Sequence, residues 1–225
     1  HFAVHGPHEA PEEDVARFRD QPPAGGHRDP VYAAMIAALD RSVARLRACL
    51  EREGIADRTV VVFSSDNGGV GGYAREGIRS REITDNAPLR GGKGTLYEGG
   101  TRVPFVACWP GVTRPGSLCH TPAQHVDLLP TLAEIAGARL PRQPRDGESL
   151  VPLLRRPDRT TRPRPLFQHF PGYLGGDGPG QWRTTPAGSV ILGDWKLIEF
   201  FEDGRRELYH LTDDPGERDD QAARR

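Results

Sequence analysis

Cysteine is scarce in this sequence, which limits the structural roles that it can have. The three residues, Cys49, Cys108 and Cys119, are an odd number and show no C-x-x-C spacing. A disulfide framework needs paired cysteines and a structural zinc site needs closely spaced thiolates, so the sequence predicts neither. We expect all three cysteines to be packing residues.

Long apolar runs and a strong excess of one charge are also lacking. No run approaches the roughly 18 to 20 apolar residues that a membrane-spanning helix needs. The formal net charge of −1 provides no basic field for nucleic acid or for an anionic membrane surface. We therefore expect neither a nucleic-acid partner nor a membrane span, and nothing in the sequence indicates the oligomeric state.

The start of the chain lacks Met and has the composition of a strand interior, His1-Phe2-Ala3-Val4. We therefore expect the sequence to be a piece of a longer protein, with any export signal upstream. Its 225 residues are enough to bury a core.

The first part of the sequence predicts helices and buried strands. Asp29 is a candidate N-cap, Pro30 suits the first helical position, and apolar residues recur every three or four positions as far as Gly54, a candidate C′ residue. The segment 59–65 is a continuous apolar run, which is typical of a strand buried on both faces of a parallel sheet. A further strand and a short helix are predicted at 103–109 and 126–135.

The second part of the sequence predicts an antiparallel sheet. A connector rich in Pro and Arg covers 141–165 and carries one short anchoring turn. Beyond it, 189–201 and 206–211 have strand composition, with a hairpin turn between them at 202–205. We therefore predict an α/β fold, part of a mixed or mostly parallel sheet flanked by helices, over residues 1–158. A small antiparallel β subdomain follows over residues 159–225.

Asp66 and Asn67 directly follow the predicted strand at 59–65. Ligands of open α/β sheets collect outside the carboxyl ends of the strands, and a carboxylate beside an amide carbonyl suits a hard cation such as Ca²⁺ or Mg²⁺. The alternative is an Asx-type turn that only ends the strand. Because one Asp and one Asn cannot complete the shell of such a cation, the other ligands have to come from elsewhere.

Lys93 lies in Gly91-Gly92-Lys93-Gly94, where a flexible backbone lets amides and an ammonium approach a bound oxyanion. The segment is not a P-loop, because Gly94 stands where that motif has Ser or Thr. A solvated lysine is the alternative. His5 is a candidate proton donor because imidazole titrates in the useful range, and its alternative is an ordinary loop histidine.

Several longer motifs occur along nearly the whole chain. They include Phe2-Ala3-Val4-His5-Gly6-Pro7, Phe63-Ser64-Ser65-Asp66-Asn67-Gly68-Gly69, Gly92-Lys93-Gly94-Thr95-Leu96-Tyr97-Glu98-Gly99-Gly100-Thr101-Arg102-Val103-Pro104-Phe105, Asp127-Leu128-Leu129-Pro130-Thr131-Leu132, Gly193-Asp194-Trp195-Lys196-Leu197-Ile198 and Glu207-Leu208-Tyr209-His210-Leu211. In content and order they closely resemble type I sulfatases of the arylsulfatase kind, which are formylglycine-dependent members of the alkaline phosphatase-like superfamily.

The resemblance implies a role for each candidate residue. Asp66 and Asn67 match one pair of metal ligands, usually to Ca²⁺, with Mg²⁺ as the alternative. Lys93 matches the lysine that binds the sulfate, and His5 matches the histidine that contacts the ester and protonates the departing alcohol. His169 stands where related sulfatases often carry a histidine-bearing loop at the leaving-group pocket, and a surface histidine on an edge strand is the alternative.

The resemblance also implies the chemistry and what the chain lacks. In the family a formylglycine hydrate attacks sulfur, the alcohol leaves, and the sulfated diol collapses to release sulfate. The formylglycine forms within a C/S-x-P-x-R motif, but Cys108-Trp109-Pro110-Gly111-Val112 has Val112 where Arg is required. We therefore expect the nucleophile and the other metal ligands upstream of residue 1, and we expect the chain alone to be inactive. Asp40, Glu98 and Arg102 are expected to be structural and to hold the glycine loop in place without touching substrate.

The function that the resemblance implies is hydrolysis of a sulfate ester of a small molecule or carbohydrate. One alternative is a phosphoric or phosphonic ester hydrolase of the same superfamily, and another is a non-catalytic protein that binds sulfated ligands. Family habit implies a periplasmic, extracellular or lysosomal location.

Overall fold

The computed structural model describes residues 5–80, 82–159 and 161–224. The strand predicted at the very start of the chain, residues 1–4, lies outside the described residues. None of the helices in the described part is long and apolar enough to cross a membrane.

Two helices form the N-terminal part, of which the sequence predicted the second and not the first. The helix α1 spans Glu12–Arg19, and α2 spans Pro30–Arg52. The carboxylate of Asp29 accepts hydrogen bonds from the backbone N–H groups of Val31 and Tyr32 and so caps α2, as predicted. Gly54 has φ +64°, the left-handed conformation of a helix C′ residue.

The strands before and after the lysine loop, the segment 90–98 that contains Lys93, pair with each other. Strand β1 spans Val61–Ser64 and strand β2 spans Phe105–Cys108, and the two are antiparallel, with Phe63 opposite Val106. The expectation of a parallel neighbour for this strand is therefore wrong for the pairing described here. The expected burial on both faces is also wrong within the described residues, since Phe63 is 37% exposed and Val106 60% exposed.

The same exposure corrects the prediction for the cysteines. Cys108 and Cys119 are exposed, and Cys49 is half-buried. The sheet described around Cys108 has only two strands, and its neighbours Phe105 and Val106 in β2 are exposed as well.

Short helices precede and follow β2 along the chain. The helix α3, Glu98–Thr101, lies between β1 and β2 in sequence, and α4, Leu128–Ile135, and α5, Val151–Arg155, follow. α5 is the anchoring turn predicted within the Pro- and Arg-rich connector. The fully buried carboxylate of Asp127 accepts from the backbone N–H of Glu148 at 2.9 Å and pairs with Arg164, which ties the connector to the start of α4.

The C-terminal part is an antiparallel sheet, as predicted. Its strands are β3 Leu166–Phe170, β6 Ala187–Leu192, β7 Trp195–Phe200 and β8 Arg206–His210, in that spatial order. A separate pair, β4 Leu174–Gly175 and β5 Trp182–Thr184, precedes β6. The segment predicted as one strand at 189–201 is two strands, because Gly193 at φ +60° reverses the chain between them.

A hydrophobic cluster joins the C-terminal sheet to the glycine-rich segment. Leu96, which lies close to Lys93 in sequence, packs with Ala187, Ile198 and Tyr209 of the sheet. The α/β fold with a small C-terminal β subdomain is therefore confirmed, and the boundary at residue 158 stays a prediction.

Candidate active site

Hydrogen bonds to its backbone N–H and carbonyl groups hold Lys93 in place. Its N–H donates to the carbonyl of Gly69 at 2.9 Å, and its carbonyl accepts from the Tyr73 hydroxyl at 2.8 Å. Tyr73 is fully buried, and burial raises the pKa of its hydroxyl, which therefore remains a donor to this carbonyl at neutral pH. The lysine loop is thus fixed to the segment that follows Asp66 and Asn67.

The glycines beside Lys93 allow this close approach. A Cβ at Gly92 would lie 2.2 Å from the carbonyl oxygen of Gly71 and 2.5 Å from that of Gly69. Gly94 has φ +91°, a conformation that side chains disfavour, and a Cβ there would lie 2.1 Å from Leu174 Cδ2. The glycines were read from the sequence as flexibility, whereas in the structure they permit tight packing.

Asn86 holds the loop from the other side, and sequence reasoning missed it. Its side-chain N–H₂ donates to the carbonyls of Gly69, Gly71 and Gly91 at 3.0, 3.1 and 3.0 Å. These hydrogen bonds connect the segment 69–71 to Gly91 through the side-chain amide of Asn86. No periodicity marks such a residue in the sequence, because it acts through three carbonyls that the fold brings together.

The structure brings His5 and Lys93 into contact. The Lys93 ammonium Nζ lies 2.7 Å from Nε2 of His5. An ammonium can only donate, so Nε2 accepts in this arrangement and the imidazole is neutral, with its proton on Nδ1. His5 is exposed and Lys93 half-buried, so the pair faces solvent from a fixed loop.

Asp66 and Asn67 lie at the end of β1, as predicted. Asp66 is exposed and Asn67 half-buried. The Asn67 backbone N–H donates to Asp66 Oδ1 at 3.0 Å. The backbone N–H of Gly68, the residue after Asn67, donates to the carbonyl of Gly100 in α3 at 2.9 Å.

The donor chemistry of this pair fits part of a hard-cation shell. Ca²⁺ takes about six to eight oxygen ligands. Among the described residues no group of three or more His, Cys, Asp or Glu side chains meets in a way that could hold a metal ion. The pair therefore has oxygen atoms of the kind that such a cation binds, and its role in metal binding stays a prediction.

Another histidine, His125, lies near the end of β1, and the sequence did not mark it as a candidate. His125 Nε2 lies 2.9 Å from the carbonyl oxygen of Ser65, the residue before Asp66. His125 lies in the short 3₁₀ turn His125–Asp127, directly before α4. Only the fold reveals this contact, since 60 residues separate the two in sequence.

His169 lies elsewhere in the described structure. It is exposed on β3, an edge strand of the C-terminal sheet, with its ring 5.5 Å from that of Phe201. Across residues 5–80, 82–159 and 161–224, no contact joins His169 to His5 or Lys93. The placement matches the surface-histidine alternative, and its role in substrate binding stays a prediction.

Two family models match this sequence. The family described as Sulfatase matches residues 1–138, and the family described as N-sulphoglucosamine sulphohydrolase, C-terminal, matches residues 92–224. The first match alone covers more than half of the 225 residues.

Curated relatives extend along most of the chain. A protein named Sulfatase from Formosa agariphila is 39% identical in an alignment 209 residues long, which covers 85% of this chain and 35% of that protein. Arylsulfatase A from Homo sapiens is 36% identical in an alignment 208 residues long, which covers 83% of this chain and 38% of that protein. The chain thus spans little more than a third of the length of these relatives.

Solved structures share the fold. The crystal structure of Ps i-CgsB in complex with k-i-k-neocarrahexaose matches with a TM-score of 0.74 at 28% identity, over 98% of this chain and 44% of that one. A protein solved with its substrate D-glucosamine-2-N,6-O-disulfate matches with a TM-score of 0.66 at 24% identity, over 85% of this chain and 35% of that one. The resemblance read from the motifs is confirmed, and the chain belongs to the sulfatase family.

Proposed function

We propose that this chain provides the sulfate-binding part of a sulfuric ester hydrolase. The contact of 2.7 Å between Lys93 Nζ and His5 Nε2, in a chain of the sulfatase family, carries the proposal. It brings a fixed positive charge and a proton-transfer group to one exposed point. Ester hydrolysis at sulfur needs both, because negative charge develops on the sulfuryl oxygens and on the departing oxygen.

Each residue has a separate task in this proposal. The Lys93 ammonium donates to a sulfuryl oxygen near the bridging atom, where its charge is worth more in the transition state than in the ground state. His5 takes up a proton from solvent on Nε2, turns from the ammonium toward the ester and gives that proton to the departing alcohol. Asn86 and the Tyr73 hydroxyl keep the Lys93 backbone in place, so the charge does not have to be positioned at the moment of reaction.

We further propose that Asp66 and Asn67 hold Ca²⁺, with Mg²⁺ as the alternative. The support is their oxygen donors at a strand end and the backbone bond between Gly69 and Lys93, which places the two segments side by side. A bound cation would neutralise charge on the sulfate oxygens. The remaining ligands and the formylglycine nucleophile are expected from sequence upstream of residue 1.

The proposed substrates are sulfated small molecules or sulfated carbohydrates, with His169 as a candidate contact for the leaving group. The relatives support the carbohydrate class, since one neighbour was solved with D-glucosamine-2-N,6-O-disulfate as its substrate. A periplasmic, extracellular or lysosomal location is part of the same proposal.

The test uses the intact protein, expressed with the sequence that precedes residue 1 in its gene and with a system that matures formylglycine. Hydrolysis of 4-nitrophenyl sulfate and 4-nitrophenyl phosphate is compared in the presence of Ca²⁺, together with a panel of sulfated sugars. We expect the sulfate ester to be preferred. A preference for phosphate would establish the phosphoric ester alternative, and binding of sulfated sugars without turnover would establish the non-catalytic one.

A further inference from the structure

A buried charge cluster lies behind the lysine loop. Lys196 on β7 is 0% exposed, and its Nζ lies 3.1 Å from Glu98 Oε1 and 2.9 Å from Glu217 Oε1. Glu217 is also 0% exposed and Glu98 5%. Burying charges is costly unless they are paired. Lys196 Nζ donates a hydrogen bond to Glu98 Oε1, whereas Glu217 Oε1 lies at ion-pair distance from Nζ without a hydrogen bond of normal geometry.

The choice of lysine at this position is itself informative. Of the 30 basic residues in the sequence, only Lys93 and Lys196 are lysines, and the others are arginines. A compact ammonium can sit between two carboxylates inside the protein, where a planar guanidinium needs more room. One lysine of the chain therefore lies at the proposed sulfate site and the other in the buried cluster behind it.

The cluster fixes the residues that follow Lys93. Glu98 is the first residue of α3, and its backbone N–H donates to Glu217 Oε2 at 2.6 Å. The preceding residue, Tyr97, donates from its hydroxyl to Glu207 Oε2 on β8 at 2.8 Å. The C-terminal end of the lysine loop is thus attached to the antiparallel sheet through two consecutive residues.

The residues that precede Lys93 are fixed to the same sheet. Arg90 Nη1 donates to the Tyr209 hydroxyl at 2.9 Å and to the Glu217 carbonyl at 3.1 Å. Glu217 has φ +51°, an unusual conformation for a residue with a side chain, and it bonds both ends of the loop at once. The loop from Arg90 to Glu98 is therefore closed by the C-terminal sheet.

The same helix also supports the proposed metal-binding segment. A Cβ at Gly68 would lie 1.8 Å from the carbonyl oxygen of Gly99, so the backbone after Asn67 packs directly against α3. The Gly68 N–H also bonds the Gly100 carbonyl. A displacement of α3 would therefore move the Asp66 segment together with the lysine loop.

We propose that the C-terminal sheet positions Lys93 for catalysis, and that Lys196 is the positioning residue that transmits this effect through Glu98 and α3. The inference rests on the proposed function in that Lys93 has to act on the sulfate. Lys196 touches neither substrate nor metal in this account. Its contribution is to keep the ammonium of Lys93 within the narrow range of positions in which it stabilises the transition state.

A double-mutant cycle in the intact protein tests the coupling. Lys196→Met keeps a side chain of similar length and removes the charge. We expect it to lower kcat for 4-nitrophenyl sulfate by on the order of 10-fold to 10²-fold, since misplacement by about 1 Å costs up to that much. In a Lys93→Ala background the same change should lower the residual rate by several-fold less than in wild type, because there is no longer an ammonium to position and only the effect on the Asp66 segment remains.

A second readout does not depend on activity. Amide hydrogen exchange over residues 90–101 should become at least about 10-fold faster in Lys196→Met while exchange in α2 is unchanged, since local opening is detected peptide by peptide. Arg206→Met is the matched control, because it breaks an exposed ion pair with Glu199 on the same sheet and should change neither kcat nor exchange over residues 90–101. If Lys196→Met does not fold, Tyr97→Phe, which removes only the bond to Glu207, takes its place in both experiments.

The outcomes separate this inference from the proposed function. An equal loss of rate from Lys196→Met in both backgrounds, or faster exchange in α2 and in residues 90–101 alike, would overturn positioning and leave only a structural role. Absence of sulfatase activity in the wild-type protein would overturn the proposed function, while the exchange experiment would still decide whether the sheet holds the loop.

Discussion

Replacing Lys196 by Met should also have a large effect on stability, and the structure sets its size. Lys196 is the ammonium shared by Glu98 and Glu217, both within 3.1 Å of Nζ and both almost fully buried. Removing it leaves two carboxylates facing each other in the interior. Arg102 lies 3.7 Å from Glu98 but is 58% exposed, so it compensates little.

Removing one partner of a buried ion pair costs about 3–5 kcal/mol of unfolding free energy. We expect a value in this range for Lys196→Met at pH 8. The loss should be smaller at pH 5, because burial already raises the pKa of the Glu217 carboxyl, and without Lys196 that carboxyl is neutralised by a proton more readily. Each unit by which a pKa shifts corresponds to about 1.4 kcal/mol, so the pH dependence is measurable.

The assay is urea unfolding of wild-type and variant protein at both pH values, followed by circular dichroism. The triple variant Lys196→Met, Glu98→Gln, Glu217→Gln has no buried charge in the cluster and should recover most of the lost stability. A loss below about 1 kcal/mol for the single variant, or a triple variant no more stable than the single one, would refute the reasoning.

Three further predictions concern the site and its support. Asp66→Ala in the intact protein should weaken Ca²⁺ binding measured by calorimetry, and unchanged affinity would remove Asp66 from the ligand set. Gly92→Ala should lower kcat by on the order of 10² because its Cβ would overlap two carbonyl oxygens and displace Lys93, whereas Gly172→Ala, with its nearest atom at 3.7 Å, should be silent. The pKa of the Glu217 carboxyl is raised in the folded protein, so above pH 4.5 the folded wild type binds more protons than the unfolded chain and its free energy of unfolding falls as the carboxylate ionises. Glu217→Gln lacks this titration. The difference in unfolding free energy between Glu217→Gln and wild type should therefore shift in favour of the variant as pH rises above 4.5. A pH-independent difference between these two proteins would contradict that assignment.

Local signals in the sequence were enough for the long helix α2, whereas α1 and α3 were not predicted. Asp29, Pro30 and Gly54 set the ends of α2 through interactions within a few residues, and the structure has each in the predicted role. The C-terminal sheet was also predictable, but not its strand boundaries. A two-residue turn at Gly193 and Asp194 is easily read as part of one long strand, since Val190, Ile191 and Trp195 on either side are strand formers.

Pairing partners were harder to predict because they depend on distant parts of the chain. The apolar run at β1 is compatible with parallel or antiparallel neighbours, and its pairing with β2 is antiparallel. The burial of Lys196 was missed for a related reason. Its alternation with the buried Ile198 places both on one face of β7, which was a usable signal, but an inward-facing charge is expected only when its partners are known.

The candidate site likewise contains residues that the sequence predicted and residues that it did not. Lys93 and His5 were selected because of the family motifs, and the structure places them in contact across 88 residues of sequence. Asn86, Tyr73 and Glu217 act on backbone groups of the lysine loop. Such contacts leave no periodic pattern in a single sequence, so they emerge only from coordinates.

The most direct test of the account is the kcat/KM of Lys93→Ala for 4-nitrophenyl sulfate in the intact, matured protein, with Arg206→Met as the control. We predict a loss of on the order of 10² or more, the usual effect of removing a donor that stabilises developing charge, and an unchanged value for the control. A Lys93→Ala protein with a near-wild-type kcat/KM would contradict the claim that this loop carries the charge that acts on the sulfate.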